Sequence, residues 1–283
     1  MSKILACIDG SVYSDSVADH AGWAAGRLGL PVEILRVLDG RAARGAVDRS
    51  GAIAAGARRR LLEELAELDA ERHKLEHKEA WLAVDEARGR VLDAGAAEAT
   101  TAVRHGDLLA TLDEREDDAE LVVLGKRGEA ADFATLHLGS NLERMVRASR
   151  RPMLVTSRAF RPIHRALIAY DAGPSAKKAV EALSRSPLFA GMDVTVLSAG
   201  DGSGGLRETM CEAAETLRAG ASRVSVRLEA GRPEDAIAKA VEEEEIDLLV
   251  MGAYGHSRLR SFIIGSTTTE LIRGCRVPIA IYR

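Results

Sequence analysis

Toward the C-terminal end the chain reads Gly252, two residues, Gly255, nine residues, then Gly265-Ser266-Thr267. That spacing suits a bound phosphate, because glycines let backbone amides approach an anion with no side chain in the way. Ser266 and Thr267 open a helix expected to run to about Arg273. The start of a helix offers free N–H groups and the positive end of its dipole. A looser copy lies earlier, where Gly125 and Gly128 are followed by ten residues and Gly139-Ser140. There Lys126 and Arg127 favour an anion, whereas Glu129 and Asp132 oppose one. Neither GxxxxGK[ST] nor GxGxxG occurs, so these loops are not the common phosphate motifs.

The elements that would position these loops are written twice. Lys3 to Asp9 and Arg165 to Asp171 are short apolar runs ending in aspartate, each followed within a few residues by serine. Val32 to Leu38 answers Val194 to Leu197, and Val103-Arg104-His105-Gly106 answers Arg227 to Gly231. Leu121 to Gly125 answers Leu248 to Gly252, and Arg151 to Val155 answers Arg276 to Ala280. Aliphatic strands alternating with helical segments indicate parallel sheets covered on both faces. The fold expected is α/β, two tandem doubly wound five-stranded domains in strand order 3-2-1-4-5, over residues 1–158 and 164–283. Arg161-Pro162 interrupts the pattern between them. In such sheets ligands bind beyond the carboxyl ends of the strands, where strand order reverses. Asp171 and the loop opened by Gly252 should therefore share one crevice.

The first repeat carries a helical insertion around residues 50–95. No Gly or Pro lies between Ala57 and Arg88, and Leu61, Leu65, Leu68, Leu75 and Leu82 keep heptad-like spacing interrupted by Arg72 and Glu79. One helix over 53–93 would extend roughly 60 Å, so it must fold back or project as an arm, a natural dimer surface.

The Asp-ended first strand, the Gly-x2-Gly-x9-Gly-Ser loop and the Pro-containing last strand resemble the universal stress protein family, twice over nearly the whole chain. The resemblance implies that Asp171 helps hold a nucleoside, while Gly252, Gly255, Gly265, Ser266 and Thr267 hold the phosphates of ATP, with or without Mg2+. In the first repeat it assigns Asp9 and Val37 to ribose and base and Gly125, Gly128, Gly139 and Ser140 to phosphate. The second repeat has Leu197-Ser198-Ala199 where members commonly place a base-contacting valine. The resemblance also implies edge pairing of the last strands, around Met153 to Thr156 and Ile279 to Tyr282, so that the tandem forms a dimer within one chain. A homodimer of two chains is a further expectation.

Other signals narrow the function. Apolar residues make up 46% and charged residues 29%, a soluble globular balance. The net charge of -4 argues against nucleic acid, and no apolar run reaches membrane-spanning length. The cytoplasm is the expected location. Cys7, Cys211 and Cys275 show no CxxC and read as reduced, mostly buried thiols. His73 and His77 are four apart but have no evident third metal ligand. Glu242 to Glu245 reads as a solvated helix end, Trp23 and Trp81 as packing residues, and Asp9 and Asp171 also as helix caps. No catalytic triad or carboxylate pair stands out, and the SGGxDS and HxGH signatures of nucleotide-cleaving and nucleotidyl-transferring enzymes are absent. The expectation is a nucleotide-binding stress sensor that at most hydrolyses ATP slowly. The competing reading is a scaffold of the same fold with empty clefts, and the two part at the phosphate loops.

Overall fold

The computed structural model describes residues 2–38, 55–126, 140–200, 205–253 and 266–283. The first half runs β1 (Lys3–Ile8), α1 (Ser14–Leu28), β2 (Val32–Leu38), α2 (Ala55–Asp93), β3 (Ala99–His105), α3 (Leu108–Arg115), β4 (Ala119–Gly125), α4 (Ser140–Ala148) and β5 (Met153–Thr156). The second runs β6 (Arg165–Ala169), α5 (Pro174–Arg185), β7 (Asp193–Ala199), α6 (Leu206–Leu217), β8 (Arg223–Glu229), α7 (Pro233–Glu243), β9 (Leu248–Gly252), α8 (Ser266–Gly274) and β10 (Ile279–Tyr282).

All ten strands join one sheet in the order β3-β2-β1-β4-β5-β10-β9-β6-β7-β8. Each half thus has the expected order 3-2-1-4-5. The halves meet where β5 and β10 pair antiparallel, Leu154 opposite Ala280. Every other pairing is parallel. The two last strands, edges of their own units, cover each other within one chain, which removes two exposed ladders.

Strand alternation sorts the core into two layers. Ile4, Ile34, Ile168 and Val196 face the layer that also holds buried residues of α1, α2, α5 and α6. Leu5, Leu35, Leu167 and Leu197 face the layer that holds residues of α4, α7 and α8. Burial on both faces explains why these strands read as continuous aliphatic runs.

Among the described residues the insertion is one helix, α2, of 39 residues, about 58 Å long at 1.5 Å per residue. Its C-terminal part is built in: Ala80, Val84, Ala87 and Val91 are buried. Gly22 of α1 lets it come close, since a β-carbon there would stand 2.5 Å from the Val91 carbonyl oxygen. Arg90 donates to Asp19 at 2.7 Å and Arg88 to the Ala99 carbonyl at 2.9 Å. From residue 63 to 79 the helix is exposed, apart from half-buried Glu76. It projects instead of folding back.

Candidate functional site

In the second half β6 and β9 are neighbours, with Ala169 opposite Met251. The strand-order reversal falls between them, and Asp171 and Gly252 lie at their carboxyl ends. Gly252 rests directly on the start of α5: a β-carbon there would stand 2.8 Å from Cβ of Ser175 and 3.1 Å from the Ala176 nitrogen. Glycine is therefore required for close packing at this point, independently of any ligand. Ala253 N–H donates to the Tyr282 carbonyl at 2.7 Å, extending the ladder one residue past the strand. Asp171 is not the N-cap of α5; that position is Gly173. The Gly173 N–H donates to Asp171 Oδ1 at 2.9 Å, so the carboxylate closes a turn across Ala172. Ala172 adopts φ 59°, a left-handed conformation unusual for a residue with a β-carbon. Tyr170, just before, is buried, and burial pushes its phenol up from the ordinary value.

Ser266 begins α8 as expected, on the side of the sheet where β9 ends, so the free N–H groups of this helix belong to the same edge as Asp171. Ser266 and Thr267 are placed by backbone alone, and Gly255 and Gly265 lie outside the described residues.

The first half repeats this arrangement with different residues. Asp9 follows β1, and its Oδ1 accepts the Ser11 N–H at 3.0 Å. It does not cap α1, whose N-cap is Tyr13. The residue after the aspartate is here Gly10, at φ 85°. Gly125 ends β4 opposite Thr156 of β5. Val37 sits near the end of β2 opposite Arg104 of β3, packed against the core. Ser140 begins α4 and is placed by backbone alone; Gly128, Gly139, Arg127, Glu129 and Asp132 lie outside the described residues. Lys126, expected to favour a bound anion, is buried and donates to the Cys275 carbonyl of the other half.

Arg36, at the end of β2, is a residue that the sequence reading missed. It is 5% exposed, and its Nη2 donates to Glu79 of α2 at 3.3 Å. Its Nη1 is buried and has no hydrogen-bond partner among the described residues. The guanidinium lies against Gly10, 2.9 Å from where a β-carbon would stand. The strand registers place Ser198 at the equivalent position in the second half, since Ile4 pairs Val32 and Ala166 pairs Val194. The only sequence signal was a lone base in an aliphatic strand.

Three peripheral expectations need correction. Glu243 and Glu244 are not a bare solvated end: Arg227 of β8 binds both, and Thr195 donates to Glu244 at 2.7 Å. These bonds, with Glu229, raise the Arg227 guanidinium pKa further. Trp81 is not a core residue; it is exposed and donates to His77 at 3.3 Å, while His77 stacks on His105. All three cysteines are free, but Cys211 is exposed. Burial pushes the Cys7 thiol up to about 12. Among the described residues no group of three or more His, Cys, Asp or Glu could hold a metal, and no helix is long and apolar enough to cross a membrane.

A duplicated 3-2-1-4-5 parallel unit with a glycine ending the fourth strand of each half defines a doubly wound α/β protein. A family model narrows the class: the Universal stress protein family matches residues 1–157 and 193–283, and the chain belongs to that family. Universal stress protein Slr1230 from Synechocystis sp. is 35% identical over 100% of both chains. A universal stress protein from Archaeoglobus fulgidus DSM 4304 shares the fold at a TM-score of 0.71 and 20% identity, over 99% of this chain and 98% of that one. A putative universal stress protein from Pseudomonas aeruginosa UCBPP-PA14 does so at 0.61 and 14%, over 100% and 93%.

Proposed function

We propose that the chain is a stress-response sensor or regulatory module that binds ATP or a related adenine nucleotide, principally in the second half. In this reading it is not a turnover enzyme and works in the cytoplasm. The observation that carries the proposal is the pairing of β6 with β9, Ala169 opposite Met251, which sets Asp171 and the opening of the glycine loop at neighbouring strand ends. Asp171 would take the ribose, and Gly252, Gly255, Gly265, Ser266 and Thr267 the phosphates, with Mg2+ as an accompanying counterion. A polyphosphate there would be held mainly by backbone N–H groups, a geometry that needs no lysine in the loop.

The first half is the weaker candidate for the same ligand. Asp9, Val37, Gly125, Gly128, Gly139 and Ser140 correspond in sequence to the second half's residues, but Lys126 is engaged by the Cys275 carbonyl and Arg36 lies against the turn after Asp9. That observation favours, for this half alone, the second reading of a cleft that serves interaction in place of nucleotide binding.

Titration of the purified chain with ATP and Mg2+, followed by calorimetry, tests the proposal. Wild type should bind saturably, and Gly265→Glu should lose that binding with its melting temperature kept within a few degrees. No saturable binding to wild type would overturn the nucleotide reading and leave the scaffold.

A further inference from the structure

Among the described residues the stretch of α2 from residue 63 to 75 is exposed along its whole length, and the arm is tied to the body from His77, stacked on His105, and Glu79, bound by Arg36; an unsupported helix of this length is marginal in water. It nevertheless carries a seam of large apolar side chains. Leu65, Leu68, Leu75 and Leu82 are spaced 3 and 7 apart, and the last three are 61%, 68% and 63% exposed. A repeat of 3.5 residues is the spacing of a coiled-coil seam, with Arg72 and Glu79 as polar positions within it. The face is distinct from the one that buries Ala80, Val84, Ala87 and Val91.

Charge along the arm decides what could cover it. Residues 63 to 71 carry five carboxylates and no base, whereas residues 72 to 78 carry Arg72, Lys74 and Lys78 against Glu76 alone. Two such arms laid parallel would set acid on acid. Laid antiparallel about an axis near residue 70, Leu65 of one copy seats on Leu75 of its mate and Leu68 beside Arg72, and the acidic end at Glu63, Glu64 and Glu67 lies over the segment that holds Lys74 and Lys78, with Asp69 and Glu71 near the axis. The β5 and β10 edges are already spent on each other, so this is a separate route to association.

We propose that α2 is a homodimerisation arm, and that two copies of this chain associate through an antiparallel two-stranded coiled coil of their residues 63–79. The inference stands apart from nucleotide binding and survives its failure.

Light scattering coupled to size exclusion at micromolar concentration tests it on the full chain. Wild type should elute as a dimer and Leu68→Asp/Leu75→Asp as a monomer; both side chains are solvent-facing in the single chain, so its melting curve and circular dichroism should still report a folded protein. A charge pair gives a second readout that does not touch the leucines. Glu64→Lys/Glu67→Lys/Glu71→Lys and Arg72→Glu/Lys74→Glu/Lys78→Glu should each be monomeric alone and dimerise when mixed. A monomeric wild type, or a dimer that persists in the leucine variant and in both charge variants alone, would overturn the proposal.

Discussion

After its first strand the N-terminal half turns on Gly10 at φ 85°, whereas the C-terminal half makes the same turn on Ala172 at φ 59°. In the first half the glycine leaves room for the Arg36 guanidinium; in the second, where Ser198 replaces Arg36, the turn carries a β-carbon at a conformational cost of about 1–2 kcal/mol. The loops after the fourth strands differ in the same sense. Lys126 is turned toward the other half, while Gly252 is pressed against α5 and leads into a loop of the family's spacing. One topology thus supports two unlike clefts. In the first, charge is buried and engaged by the protein, Arg36 with α2 and Lys126 with Cys275. In the second, the described edge carries the left-handed turn at Ala172 and the Asp171 carboxylate that closes it. Strain kept at the strand terminus where the proposed nucleotide would sit fits a functional constraint on the second half.

The halves should also respond differently to pH. His20 of α1 is buried against Phe160 with its Nε2 unpartnered, and burial lowers its pKa from 6.5 to about 4. Among the described residues the second half buries no histidine. A folded value below the unfolded one means that the unfolded chain takes up the proton first. Stability contributed by neutral His20 is therefore complete above pH 6.5 and is lost as pH falls toward 4. The loss should reach about 2 kcal/mol by pH 4.5. Chemical denaturation of wild type and His20→Leu across this range checks it: the variant should lose this part of the acid dependence, and parallel curves would remove His20 as its source.

A smaller effect separates the two turns. Ala172→Gly should stabilise by about 0.5–1 kcal/mol through release of left-handed strain, and Gly10→Ala should destabilise by about 1–2 kcal/mol through the same conformation and contact with Arg36. Denaturant midpoints at constant slope would measure both, and equal signs would show that the turns are not equivalent.

Much of this architecture was legible in the chain. The strands and their parallel class followed from aliphatic runs repeated in sequence, because burial on both faces leaves no polar alternation to confuse the signal; the order 3-2-1-4-5 was the one expected of a doubly wound unit. The juxtaposition of Asp171 with Gly252 followed from that order alone. Pairwise tertiary chemistry was not legible. Arg36 hid in a mostly aliphatic strand, and nothing local says that its partner is Glu79, 43 positions on. Glu243 and Glu244 looked solvated because Arg227 reaches them from the neighbouring β8, across a helix. Asp9 and Asp171 have the chemistry of helix caps, but the chain enters each helix a few residues later, and both close turns instead.

Under the proposed function the two halves are unequal and the second takes the nucleotide. ATP affinity of Asp9→Ala beside Asp171→Ala, each titrated as the full chain with Mg2+, tests it most directly. Loss of a charge-assisted hydrogen bond to ribose predicts about a tenfold or greater fall for Asp171→Ala, with Asp9→Ala close to wild type. An Asp171→Ala chain that binds as wild type does, while Asp9→Ala loses affinity, would contradict the claim and move the site to the first half.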